Sequence, residues 1–340
     1  MRRTLIAFLL VACGGPAKPT TPPPPLTDPK PEPTEKPAPT ADVKPPPKDP
    51  DPIDVPLSSA KTSYKLVNPG KGTKAVMKIA GEKGMKQAVE LALDFAGKQV
   101  APAELGGTQE DVAPTLVLAS DVEVLDNDAS GAKFKVSFTG VDARDKPGAK
   151  ATKDQFKSEL AVLQGTVLSG VVSPSGQVAN MSLHVDKPSE KTMAALELVR
   201  ISMVPLWPVV PTEAIGVGAK WTVTAQYTIA DRIEATQTTD MELVSHKGKD
   251  WVVKGKTTVK GADQKIKDTQ FEKIGGSGSF EATVTEGVFA PASNTKLSSD
   301  FTATIDVDQA AGKPADPKAA KKNTASVQFH LDQGVTVTAK

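Results

Sequence analysis

Proline decides how much of this chain can fold. Of the 29 prolines in 340 residues, more than half fall between Gly14 and Pro56. Proline locks φ and brings no backbone donor, so neither a helix interior nor a sheet ladder tolerates this density. The same stretch has few apolar residues to offset the entropy of ordering. Residues 13–56 are therefore expected to form a disordered, polyproline II-like tether rising ~3.1 Å per residue. Its lysines and carboxylates interleave, which argues against a nucleic-acid arm or a polybasic membrane patch. A ligand for a PxxP-reading domain is the alternative use of such a segment; a spacer is the reading its composition favours.

The folded part is then residues 57–340, enough chain for one large unit or for two halves, 57–200 and 204–340. Its pattern is β. Lys133 to Val141 alternates, with Phe134, Val136 and Phe138 on one face and Lys133, Lys135 and Ser137 on the other, as in a half-buried antiparallel strand. Tyr64–Val67 and Ala75–Ile79 flank a Pro69-Gly70-Lys71-Gly72 turn, and Leu116–Leu125 leads into Asp126–Gly131. Thr166–Val172 and Val178–Val185 form a hairpin about Pro174-Ser175-Gly176. Strands resume over 220–229, 234–245, 251–260, 264–273, 279–285, 296–307 and from 326 onward. Lys86–Ala96 reads as a strand or, from its Ala/Leu/Glu content, as a helix. One main helix is expected near residues 188–203, with Pro188 at its start and Ser189 as cap. Met193, Leu196, Val199 and Met203 then lie at near-helical spacing. The expected fold is mainly β: a curved antiparallel meander sheet, or two linked half-barrels, packed on that helix.

The first 13 residues are of another kind. Arg2 and Arg3 precede a short apolar run that ends Leu10-Val11-Ala12-Cys13, and Cys13 is the chain's one cysteine. The run is about half the ~20 residues of a transmembrane helix, so residues 1–12 read as a signal peptide. The last four residues resemble the lipobox of bacterial lipoproteins. That resemblance implies a diacylglycerol on the Cys13 sulfur, cleavage before it, and a membrane-anchored place in the cell envelope. Gly14, where aspartate is associated with inner-membrane retention, points to the outer membrane if the cell has two. With Cys13 lipidated, no thiol remains for disulfides, metal ligation or catalysis.

Between the halves, Pro205, Pro208 and Pro211 recur at threefold spacing and favour an extended strap. Met203, Leu206, Trp207, Val209 and Val210 give it apolar side chains that either pack onto the sheet or wall a hydrophobic groove. After it, Pro211-Thr212-Glu213-Ala214-Ile215-Gly216-Val217-Gly218-Ala219-Lys220-Trp221 is similar to a P-x-x-P-V-x-x-G-x-x-W-like passage. That passage belongs to a family of exported, β-rich bacterial proteins and lipoproteins of unknown function, in which Ile215 takes the place of a valine. The early Pro69–Gly72 turn and Gly165…Pro174-Ser175-Gly176 add to the likeness. It implies a β architecture and no assigned activity.

Patterns that carry chemistry are thin. Asp126-Asn127-Asp128-Ala129-Ser130-Gly131 matches the first half of a calcium loop, but Ser137 stands where a bidentate Glu is needed, so a hairpin turn is expected. Gly70-Lys71-Gly72 lacks a following helix to receive a phosphate, and Gly275-Gly276-Ser277-Gly278-Ser279 lacks the last glycine of a nucleophile elbow; both read as turns. His184, His246 and His330 are far apart and form no metal-ligand spacing. No catalytic residue, metal site or cofactor is assigned. Net charge is +1, which gives no field for nucleic acid. Lys313, Lys318, Lys321 and Lys322 form a basic loop suited to solubility or to contact with anionic headgroups. The expected function is non-enzymatic binding of an apolar ligand or envelope component. A structural or assembly protein with a protein partner is the alternative, and a hydrolase a third.

Overall fold

Alternation governs the fold of the computed structural model, which describes residues 51–57, 61–79, 81–202, 207–229, 232–267, 269–307 and 324–340. The expected signal peptide, Cys13 and most of the expected tether lie outside these residues, as do Lys313, Lys318, Lys321 and Lys322 of the expected basic loop.

The first half contains β1 (Ile53–Pro56), β2 (Lys61–Asn68), β3 (Lys71–Ala75), β4 (Lys86–Val100) and β5 (Gln109–Val112). Next come β6 (Thr115–Asp128), β7 (Gly131–Arg144), helix α1 (Lys153–Leu160), β8 (Val167–Val172), β9 (Val178–Val185) and helix α2 (Glu190–Ser202). The second half contains β10 (Ile215–Val217), β11 (Lys220–Ile229), β12 (Ile233–Lys247), β13 (Asp250–Lys260) and β14 (Gln264–Ile266). Strands β15 (Thr269–Thr285), β16 (Ala292–Asp306) and β17 (Thr324–Ala339) complete it.

All but β3 and β10 belong to one 15-stranded sheet. Its path runs β1-β9-β8-β7-β6-β4-β17-β16-β15-β13-β12-β11-β2, with β5 on β4 and β14 on β15, and every pairing is antiparallel. The two halves join through β4 and β17, and again through β2 and β11 and the small β3–β10 pair, so the architecture is one continuous sheet with a two-stranded annex. It is not closed into a barrel. The ends of the path are nevertheless consecutive pieces of chain: β1 pairs with β9, and β2, starting five residues after Pro56, pairs with β11. Five residues span at most ~18 Å, so the sheet must curl until its two edges approach. The Gln177 side chain, from the β8–β9 turn, bridges them by donating to the Thr62 carbonyl at 3.3 Å.

Inside the curl, side chains at every second position form the core. In β13, Trp251, Val253, Thr257 and Val259 are buried while Lys254, Lys256 and Lys260 face water. β4 has a helix-like composition yet buries Val89, Leu91, Leu93 and Phe95 on one side. Pairing with β6 on one flank and β17 on the other overrides its local propensity. The large apolar cluster gathers Trp207, Trp221, Trp251, Phe134, Phe138 and Phe289 with aliphatic residues of both halves. A smaller one, around Ile229, Ile233, Phe271, Ile274, Phe301 and Leu297, fills the other end of β11–β16.

The helix α2 starts as expected, its Thr192 N–H donating to Ser189 Oγ at 3.0 Å. It buries Ala195, Leu196 and Val199 against the core; Met203 lies outside the described residues. Three expectations need correction. The basic, Gly/Pro-containing stretch from Arg144 to about Lys157, which by composition reads as a loop, contains the start of α1, capped reciprocally by Thr152 and Gln155. Met77–Ile79 is not strand; Met77 and Ile79 are core residues on a connector. The glycine run Gly275–Ser279 lies inside β15, a single 17-residue strand, where a turn was expected. A Cβ on Gly276 would come within 2.2 Å of the Ser298 carbonyl oxygen, so the run permits β15 and β16 to close tightly.

Candidate functional site

The strap enters the curl after α2, and residues 207–211 lie within it. Trp207 is 2% exposed. Its ring sits 4.7 Å from that of Phe134 and 5.4 Å from that of Phe289, centroid to centroid, and Nε1 donates to the Phe289 carbonyl at 2.9 Å. Trp221 Nε1 donates to the Val209 carbonyl at 2.8 Å, and the Val210 N–H donates to the Ser175 carbonyl at 2.9 Å. Gly176, with φ at +80°, lets the turn beside the strap approach so closely that a Cβ there would lie 1.9 Å from the Pro208 oxygen. Of the proposed strap residues, Trp207, Val209 and Val210 are thus brought together and pinned; Met203 and Leu206 lie outside the described residues.

Beside the strap is a crevice bounded by Trp207, Val209, Val223, Met241, Phe280 and Leu297. Hydroxyl groups interrupt the apolar wall, and those of Thr239 and Thr257 are 2.9 Å apart. It sits between the two apolar clusters. Its volume is about 60 Å³, room for roughly four waters at ~15 Å³ each. Pockets that hold small-molecule ligands are typically ~300–1,000 Å³.

A wider, open depression of about 330 Å³ lies on the outer face of β4, β6 and β7. In register across the three strands run Lys86, Glu123 and Lys135, and beside them Ala88, Asp121 and Ser137. Glu123 accepts from Lys135 at 2.8 Å, and this bond, with Lys86 nearby, holds its carboxyl below the usual range. Ala88 forms the low point of the row. The sequence pattern marks each of these residues as solvent-facing; their alignment into one groove depends on register, which no local signal encodes.

The remaining motifs fall into structural roles. Asp126–Asp128 end β6 and Gly131 begins β7, so only Ala129 and Ser130 make the turn; Lys133 pairs with Asp126 at 3.7 Å and Asp128 at 3.2 Å. The Ser130 hydroxyl and amide, followed by Lys133, pull the Asp128 carboxyl down to about 2. A lysine ammonium thus stands where a calcium ion would need free carboxylates. His246 stacks on Trp251 with centroids 3.6 Å apart. His184 and His330 lie on different strands, each between two aspartates: Asp54 and Asp186, and Asp300 and Asp332. Among the described residues no group of three or more His, Cys, Asp or Glu is arranged to hold a metal ion. No described helix is long and apolar enough to cross a membrane.

No protein-family model matches the sequence, nor does any curated protein. Among solved structures, the chain is similar to OmpT, an outer membrane protein of Vibrio cholerae, in-vitro folded and in trimer form. The identity is 9% and the TM-score 0.17, over 76% of this chain and 100% of that one. A superposition this loose carries no argument about fold or function.

Proposed function

We propose that this chain is an envelope lipoprotein anchored through Cys13, whose β module is a non-enzymatic binding domain that engages another envelope component from the outside. The observation that carries this reading is the filled interior. Three buried tryptophans and residues 207–210 of the strap pack inside the curl, and the crevice beside them has a volume of about 60 Å³. The wider depression, about 330 Å³, is on the outer face and is lined by paired charges and small side chains, the composition of a polar contact surface. The separate settings of the three histidines support the non-enzymatic reading: among the described residues, His184 and His330 contact aspartates and His246 stacks on Trp251, not the serine hydroxyl that a general base would face. The proline-rich tether gives the module reach from the membrane, and the lipobox-like sequence supports the anchor.

A second reading, carriage of an apolar ligand, is favoured by the apolar lining of the crevice and by its place between two separate clusters. One experiment separates them. A photo-crosslinking amino acid placed at Ala88 in the full chain, in living cells, is expected to give one discrete adduct with an envelope component. No adduct at Ala88, together with a stoichiometric lipid on the purified chain, overturns the external reading in favour of carriage.

A further inference from the structure

Two histidines repeat one arrangement in different mechanical settings. On β9, His184 is directly opposite Asp54 of β1, and Asp186 follows two residues along on the same face. Nδ1 lies 2.9 Å from Asp54 Oδ1 and Nε2 lies 3.2 Å from Asp186 Oδ1. His330 on β17 lies likewise 2.7 Å from Asp300 of β16 and 3.2 Å from Asp332. A neutral imidazole carries one N–H and can donate to only one carboxylate; the imidazolium donates to both. Each site is therefore complete only when its histidine is protonated. The carboxylates act in the same sense: Asp54 first, then Asp186, holds His184 above the ordinary histidine range, and Asp300 with Asp332 does so for His330.

The strands they join differ. β16 and β17 are 15 and 16 residues long, in the middle of the sheet. β1 has four residues, stands at the end of the sheet, and is made by the last residues of the proline-rich segment, which were expected to be disordered tether. It is one of the two pieces of chain that bring the sheet's edges together. We propose that His184 is a proton-operated latch on β1: the imidazolium holds the strand to β9, and loss of its proton frees β1 and opens the sheet at its seam.

The described groups that face His184 come from β1, β8 and β9. From β8, the residue opposite His184 is Val167, which carries no charge. On β1 and β9 the facing charges are Asp54 and Asp186, both acceptors. Continuing the register two steps past the Ile53–Val185 pair brings Asp51 opposite Lys187, and both of these residues have interactions of their own. With His184 neutral, one aspartate loses its donor and the ring no longer offsets two negative charges. The backbone ladder to β9 and the apolar side chains of Ile53, Val55 and Leu57, packed against the main cluster, then hold a four-residue strand without its side-chain clasp.

Amide exchange at Leu57 reads the latch, because its N–H donates to the Met181 carbonyl on β9 at 2.9 Å. The full chain is compared at pH about 5.5 and about 9, either side of the histidine range, as protection factors corrected for intrinsic exchange. The expected result is a loss of Leu57 protection between the two values in the parent. His184→Gln should show low protection at both, and His330→Gln should lose protection as the parent does. Asp54→Asn, a second variant at the same contact, should reduce the loss. Equal Leu57 protection at both pH values in the parent overturns the latch, as does a parent-like loss in His184→Gln.

Discussion

Trp207 joins three parts of the molecule through one side chain: the strap that carries it, Phe134 on β7, and Phe289 in the β15–β16 connection. Truncating a fully buried tryptophan removes apolar area and leaves a cavity, at a typical cost of ~3–5 kcal/mol. Trp207→Ala is therefore expected to lower the urea midpoint strongly, and its loss of stability would mask any effect on binding. Gly176→Ala should also destabilise the chain, by more than ~1 kcal/mol. Its φ is positive, and the added methyl meets the backbone of Pro208. A melting curve unchanged by Gly176→Ala would contradict the close approach of strap and turn. The apolar character of the strap was legible in Leu206, Trp207, Val209 and Val210. Its burial was not: the partners Phe134 and Phe289 lie more than seventy residues away on either side, and no local period encodes such a meeting.

Elements were legible where one side of a strand faces water. β7, β12 and β13 alternate in the sequence and alternate in the structure, because lysine and threonine on the outer face mark the inner one. β4 was ambiguous, since its Ala, Leu and Glu residues suit a helix and only its two neighbours make it a strand. α1 left a signal that was passed over. Thr152-Lys153-Asp154-Gln155 is a capping box, with the Gln155 N–H donating to Thr152 Oγ1 at 3.3 Å and the Thr152 N–H to Gln155 Oε1 at 3.2 Å. Thr152→Ala should cost about 1 kcal/mol by urea unfolding; no change would mean that packing of Phe156 and Leu160 alone holds the helix. The paired histidines add a pH dependence to the sheet. Both have folded pKa values raised above 6.5, so their stabilisation is fully present below the unfolded value and is lost as pH rises through the folded ones. The urea midpoint should fall across that window in the parent, and the fall should shrink in the His184→Gln/His330→Gln double variant. An equal fall in both would assign it to other groups.

At the scale of the molecule, antiparallel pairing, curvature and a single main helix on the core were legible from strand alternation and from the one helical period. The joining of the halves through β4 and β17 was not, because strand order across 200 residues leaves no local trace. Nor was the meeting of the sheet's two edges at consecutive pieces of chain. The proposed anchor, by contrast, rests on four residues, Leu10 to Cys13. Cys13→Ser should shift the protein from the membrane fraction to the soluble one, and a variant that stays with the membrane would contradict anchoring by lipid at that residue. In the proposed function the chain itself packs the interior and binding happens outside. Native mass spectrometry of the full, lipidated chain, extracted gently from membranes, tests this most directly. The account predicts the mass of the lipidated chain with nothing further retained. A discrete, stoichiometric added mass that disappears on denaturation would contradict it, and would place a ligand in the crevice beside Trp207.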